Sequence, residues 1–421
     1  MNKVTSIIAA GALTALVLTS IFYIGFFSSS NVSAQPRAVD TYATNESVTN
    51  LSNLINNFSF RMYNQLITDN TDNIFFSPYS IFVALAMTYE GARNETADEM
   101  YNVLGFPQDD TVTLCSFGRI YNLLNINKEY TLNTANALWI RQGYPFLGEY
   151  LRFIENYYMG KTTEVDFSNP EKSAEIINQW IEKNTGGKIK DLITKGDIHK
   201  YLAMILTNAI YFKGDWLNQF DKDLTTNRDF KLLDGTTVSV PMMTFSKSDL
   251  EFNYTETDDL QILELPYKGD KLSMIILLPK ENNISIVEKI LNRDNLSKWV
   301  NSMTKREVKV ILPKFKLETE YSLKNYLMNM GMIIPFSTAK ADFSGMTGRK
   351  DLFIEKVKHK AFIEVNEEGT EAAAATSVHM GLTAVGPEPI EFNADHPFVF
   401  LIIHKETGVI LFMGKLMNPM V

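Results

Sequence analysis

Cysteine is nearly absent: Cys115 is the only one in a chain of 421 residues. No intrachain disulfide is available, and without a C-x-x-C pair there is no structural zinc site of that kind. A lone cysteine reads first as a small buried hydrophobe and only second as a reactive thiol. Positive charge is not concentrated anywhere. The net charge is −9 and there is no basic block, which excludes a nucleic-acid surface and argues against docking on anionic lipid. The five histidines, His199, His359, His379, His396 and His404, fall in no H-E-x-x-H spacing, and G-x-S-x-G is missing. Neither a zinc hydrolase nor a nucleophile-elbow hydrolase is indicated. No catalytic, cofactor-binding or metal-ligating residue is assigned.

The interior also lacks a Gly/Ser/Pro-rich linker and an internal repeat. Length alone suggests two or three domains, yet nothing marks a boundary. What is present is 45% hydrophobic and 21% charged residues, enough to bury a large core. At the N-terminus, Lys3 precedes an uncharged run from Val4 to Phe27, and Val32-Ser33-Ala34 offers small residues of the kind a signal peptidase reads. Residues 1–34 are then a signal peptide cleaved after Ala34 or a retained membrane anchor. The run exceeds the usual ~7–15-residue signal core and approaches the ~20 residues that span a bilayer. Both readings put the rest of the chain outside the cytoplasm. Residues 35–48 are polar and read as a linker, leaving 49–421 as the main domain.

Leu51, Leu54, Ile55, Phe58, Met62 and Leu66 recur at helical spacing. Ser77-Pro78 is a helix start that leads into a segment apolar on all sides, Ile81 to Met87, so that helix is buried. Leu132 to Ile140 reads as a strand. Leu202 to Phe212 and Leu272 to Leu278 are near-continuous apolar runs, expected for strands covered on both faces. Val308 to Leu317 alternates, with Lys309, Lys314 and Lys316 outward, Ser322 to Met330 is a helix stopped by Gly331, and Phe398–His404 with Val409–Leu416 form a hairpin. Helices early and strands late indicate an α+β protein.

One stretch stands apart: Glu367-Glu368-Gly369-Thr370-Glu371-Ala372-Ala373-Ala374-Ala375-Thr376. It has no large side chain to anchor it, but small residues enter a tight site without a clash. Taken as a strand with period two, one face carries Thr370, Ala372, Ala374, Thr376, Val378, Met380 and Leu382, all small, apolar or threonine. The other carries Glu371, Ala373, Ala375, Ser377, His379, Gly381 and Thr383. This is the pattern of a half-buried strand, although alanine is a poor strand former. A permanent strand and a segment with two homes both fit.

The order of these residues resembles the proximal hinge of a serpin reactive-centre loop. Further segments resemble serpin motifs in family order: Asn73 to Ser80, Glu90-Gly91-Ala92, Thr96-Ala97, Thr207 to Trp216, Leu265-Pro266-Tyr267, Leu277 to Lys280, Pro313-Lys314-Phe315, His359-Lys360-Ala361, Ala394 to Phe398 and Phe412 to Lys415. The resemblance runs from about residue 49 to the C-terminus. It implies one domain of three β-sheets surrounded by eight or nine helices, with an exposed mobile loop at about 367–390.

It also implies a mechanism. A target serine protease attacks the loop and forms an acyl-enzyme, and the freed segment from Thr370 onward inserts into the central sheet before deacylation. Counting from Gly369 as the family does, the scissile bond lies between Thr383 and Ala384. This suits elastase-like or subtilisin-like clefts, whereas a one-residue slip to Leu382 favours chymotrypsin-like ones. Ser77, Ser80, Asn208 and His359 match the family's polar cluster beneath the opening sheet, and Trp216 the aromatic residue where insertion begins. Between Cys115 and Lys128, where some serpins carry a heparin site, only Arg119 and Lys128 are basic, so no heparin-type activator is expected. The expected partner is the protease alone, met by a monomer without a cofactor. Non-inhibitory serpins and inhibitors of cysteine proteases remain alternatives.

Overall fold

Helices form where caps and apolar faces coincide. In chain order the α-helices are α1 Asn45–Asp69, α2 Pro78–Tyr89, α3 Asn94–Leu104, α4 Thr111–Asn125, α5 Gly148–Tyr158, α6 Pro170–Asn184, α7 Ile284–Ile290, α8 Arg293–Ser302, α9 Lys324–Asn329 and α10 Ser344–Thr347. The structure is a computed structural model that describes residues 37–125, 129–247, 249–370 and 389–420. The N-terminal segment 1–34 lies outside the described residues. Ten α-helices among the described residues exceed the eight or nine expected, because short turns such as the four-residue α10 count separately.

Helix α1 begins inside the segment read as linker 35–48. Thr44 and Ser47 cap one another, with Ser47 N–H donating to Thr44 Oγ1 at 3.0 Å and Thr44 N–H to Ser47 Oγ at 2.9 Å. Ser47 is polar for capping rather than for solvation, so polarity alone misplaced the boundary. Ser77 caps α2 with Pro78 at its start, and every residue of α2 is buried. Cys115 is buried on α4 and unpaired. No described helix is long and apolar enough to cross a membrane.

The strands are β1 Ile74–Phe76, β2 Tyr130–Arg141, β3 Lys161–Val165, β4 Met204–Asp215, β5 Asp221–Lys231, β6 Thr237–Thr244, β7 Glu251–Glu256, β8 Leu260–Pro266, β9 Leu272–Pro279, β10 Thr304–Pro313, β11 Phe315–Ser322, β12 Val357–Val365, β13 Gly369–Thr370, β14 Ile390–Asn393, β15 Phe398–His404 and β16 Ile410–Leu416. The apolar alternation at Val308–Leu317 is divided between two strands, not carried by one. The chain passes from one sheet to another at Lys314: Pro313 still pairs with Met242 of β6 and the Lys314 N–H donates to Pro241 O at 2.9 Å, while Phe315 begins the pairing of β11 with β12. Strand β10 is shared. Its residues Thr304–Glu307 pair with β7, and Val308–Pro313 pair with β14 and β6. Two sheets thus meet in one strand, and the six-stranded central sheet is the third.

The central sheet runs β11-β12-β13-β4-β2-β3. Its strand β4 is apolar on both faces because both are covered. Leu206, Ile210 and Phe212 join the main core, while Ile205, Ala209 and Tyr211 join a second cluster beneath α6 and the segment after it. In that second cluster Trp139 of β2 meets Trp180 of α6 edge-to-face at 5.4 Å. The important junction is between β4 and β12. They pair in parallel from Leu206/Val357 to Tyr211/Phe362 and then part.

Candidate functional site

The segment Asn366–Thr370 connects β12 to β13. Asn366 Oδ1 accepts the N–H of Glu368 at 3.0 Å and of Gly369 at 3.3 Å, a side-chain turn that reverses the chain. Gly369-Thr370 then enters the gap between β12 and β4, antiparallel to both. Thr370 faces Val365 on one side and Gly214 on the other. Position 369 must be glycine because the backbones approach closely: a Cβ there would lie 2.2 Å from the Gly214 carbonyl oxygen.

Thr370 is fully buried, with its Oγ1 2.9 Å from the Tyr267 hydroxyl. Tyr267 stacks on Trp216 at 4.5 Å between ring centroids. Trp216 holds the turn by two bonds, N–H to Glu368 O at 2.9 Å and Nε1–H to Asn366 O at 3.0 Å. Glu367 pairs with Lys314 at 2.9 Å, and Glu368 pairs with Lys222. Glu367 also accepts from Thr225 Oγ1 at 2.8 Å. Burial by itself would raise the Glu367 carboxyl, but the bonds from Lys314 and Thr225 outweigh it and hold it below its ordinary range.

A buried polar cluster lies further along the β4–β12 junction, where His359 and Asn208 are register partners. His359 Nδ1–H donates to Asn208 Oδ1, and Ser77 N–H donates to His359 Nε2 at 3.1 Å. The ring is therefore neutral. Asn208 Nδ2 donates to Ser80 Oγ and to Asn136 Oδ1, and Ser80 Oγ donates to Asn136 Oδ1 at 3.1 Å. Ser77 Oγ donates to Leu411 O at 2.6 Å. Each of these five side chains is buried, so the network links α2, β2, β4 and β12 across the junction.

Of the residues picked from sequence, Ser77, Ser80, Asn208 and His359 form one network. Glu367, Glu368, Gly369, Thr370 and Trp216 form a second group at the end of the sheet. Glu371, Ala372, Ala373, Ala374, Ala375 and Thr376, with Leu382, Thr383 and Ala384, lie outside the described residues. Sequence reasoning missed Asn136, Tyr267, Lys314, Lys222 and Thr225. Asn136 had a signal, an amide between Ala135 and the apolar run Ala137–Ile140. The two lysines had none, since surface lysines are common. Among the described residues, no group of three or more His, Cys, Asp or Glu side chains is placed to hold a metal ion.

Residues 53–419 match the family model Serpin (serine protease inhibitor). The chain belongs to the serpin family. It is 45% identical to an uncharacterized serpin-like protein of Thermococcus kodakarensis, over 87% of this chain and 85% of that one. It is 40% identical to a leukocyte elastase inhibitor of Xenopus laevis, over 88% of this chain and 100% of that one. Its structure superposes on that of human thyroxine-binding globulin complexed with thyroxine with a TM-score of 0.80 at 31% identity, covering 89% of this chain and 99% of that one.

In this serpin, burial pushes the His359 imidazole down from 6.5 to about 3. The unfolded chain binds the extra proton between those values. This residue's contribution to stability is therefore intact above pH 6.5 and lost as pH falls toward 3. His359→Ala should destabilise the protein at pH 8 by about 1–3 kcal/mol for each orphaned partner, Ser77 N–H and the Asn208 amide. It should also make the fall in stability from pH 6.5 to 5 shallower, as read by urea unfolding at both values.

Proposed function

We propose that this serpin inhibits serine endopeptidases as a suicide substrate and is consumed in one turnover. The seating of Thr370 between β12 and β4 carries this reading. The segment that precedes the predicted scissile bond already starts a strand in the central sheet, with its first side chain turned into the core. The sheet has only to part along β4–β12 for the rest to follow.

The register makes the fit concrete. Each step forward from Thr370 moves one residue back along both β12 and β4, which brings Thr376 opposite His359 and Asn208. Insertion separates those two partners, and a threonine hydroxyl arrives between them. It donates and accepts, so neither buried group is left orphaned. In the inserted strand, alternation would put the alanines at 372 and 374 on the same inward face, without bulk. We assign Glu367–Thr376 as the hinge, and Ser77, Ser80, Asn208, Trp216 and His359 as groups that govern the switch without performing chemistry. The cleavage point is assigned to Thr383–Ala384, with Leu382 as the alternative. We take the serpin domain to begin with α1 at Asn45 and to run through residue 421, and the uncharged stretch Val4–Phe27 supports a site of action outside the cytoplasm.

The small residue at 383 supports elastase-like or subtilisin-like targets. The 40% identity to a leukocyte elastase inhibitor agrees with that choice. A carrier is the second reading, favoured by the likeness to thyroxine-binding globulin. Against it stands an insertion face from Thr370 to Leu382 without a charge or a proline.

Incubation with elastase-like, subtilisin-like and chymotrypsin-like proteases should give a covalent complex stable on a denaturing gel. Cleaved chain without complex, across the whole panel and with cysteine proteases added, would favour the carrier. Thr370→Arg buries a charge on the inserting face, at a cost of several kcal/mol. It should convert the inhibitor into a substrate, abolishing the complex while cleavage continues, and an unchanged complex yield would remove insertion from the mechanism.

A further inference from the structure

The segment 185–203, between α6 and β4, crosses the outer face of the central sheet. It buries Ile189, Leu192, Ile193, Ile198 and Leu202 against that face. It is tied to α6 by Asn178, whose amide exchanges two bonds with the Ile193 backbone at 2.7 and 2.9 Å. At its C-terminal end it continues directly into β4, at Met204. Its charged side chains, however, reach across to the entry of β12. Asp197 Oδ1 pairs with Lys356 at 2.9 Å and lies 3.9 Å from Lys358, while its Oδ2 accepts the Thr194 N–H and hydroxyl at 2.9 and 2.8 Å. His199 Nε2 lies 2.9 Å from Glu355. Only 12% of the Asp197 side chain is exposed, so solvent screens this centre less than an open surface pair. Burial alone would raise its carboxyl, but Lys356, Thr194 and Lys358 together hold it at about 2.

We infer that Asp197–Lys356 and His199–Glu355 form a clasp, holding the β4 side of the opening junction to the β12 side at the end remote from the hinge. The inference rests on the insertion reading above. The two strands pair in parallel, and the clasp sits beside their first pair, Val357 with Leu206. Thr370 enters at the opposite end. A strand growing from Thr370 meets the clasp last, when the residues opposite Val357 must be accommodated. The clasp therefore does not decide whether insertion starts. It sets how fast insertion finishes, and that step competes with hydrolysis of the acyl-enzyme. Asp197 and Glu355 are positioning residues: they touch neither loop nor protease.

The test uses the full chain and a fluorescent synthetic peptide with the sequence of residues 370–382, whose annealing into the sheet is followed on native gels without any protease. Wild type should take up the peptide. Asp197→Asn, which keeps an acceptor for Thr194, and Glu355→Gln should take it up about fivefold faster. Both should also need fewer inhibitor molecules per protease trapped. Glu175→Gln removes an exposed pair of the same type, Lys172–Glu175 on α6, and should leave the rate unchanged. Equal uptake rates in wild type and the clasp variants would overturn the clasp alone. Lower melting midpoints with unchanged rates would do the same, marking the contacts as merely structural. No uptake by wild type would overturn the clasp together with the insertion reading beneath it.

Discussion

The pairing of β4 with β12 is the constraint on which everything else depends. These two long strands lie side by side in parallel, yet no short connection joins them, and their ladder covers only residues 206–211 and 357–362. Beyond Phe362 it has already been entered by Gly369-Thr370. Under the proposed insertion, this partly split parallel ladder is a poor energy minimum, because the chain itself would supply a strand to fill it. Filling it would satisfy two rows of backbone groups and cover apolar area. What holds the sheet short of that state is local. The His359–Asn208 bond spans the junction, the network around it ties the junction to α2, and α6 with the segment after it covers the outer face.

The hinge follows the same logic. Glu367 and Glu368 are paired with lysines, and Trp216 binds the turn between them and Asn366. These contacts fix where the chain reverses, so Thr370 enters in one register only. Register matters more here than affinity. In the proposed insertion, a slip of one residue would turn Glu371 inward and leave Thr376 away from His359. Gly369 enforces the register sterically, since any Cβ would strike the β4 backbone.

Much of this was legible in the sequence. The caps at Ser77-Pro78 and the two-faced apolar run of β4 have local causes, and both formed as the residues dictate. The alternation after Gly369 identified Thr370 as an inward-facing residue, and its burial agrees. Two kinds of feature were not legible. The change of sheet at Lys314 depends on partner strands distant in sequence, β6 for the residues before it and β12 for those after, so alternation alone does not divide β10 from β11. The partners of the hinge, Lys314, Lys222 and Tyr267, lie far from residue 367 along the chain and carry no local mark of their role. The capping of α1 by Thr44 and Ser47 shows the same limit on a smaller scale, because polarity does not distinguish a linker from a helix start.

If insertion is the mechanism, the chain stores free energy in an incompletely filled sheet and releases it when the loop is cut. Thermal unfolding of the intact protein, compared with the same protein nicked between Leu382 and Ala384, tests this most directly. After nicking, the melting midpoint should rise well above that of the intact chain, because the freed strand completes the sheet. An unchanged or lowered midpoint would contradict it, since a severed loop that stays outside the sheet can only loosen the fold.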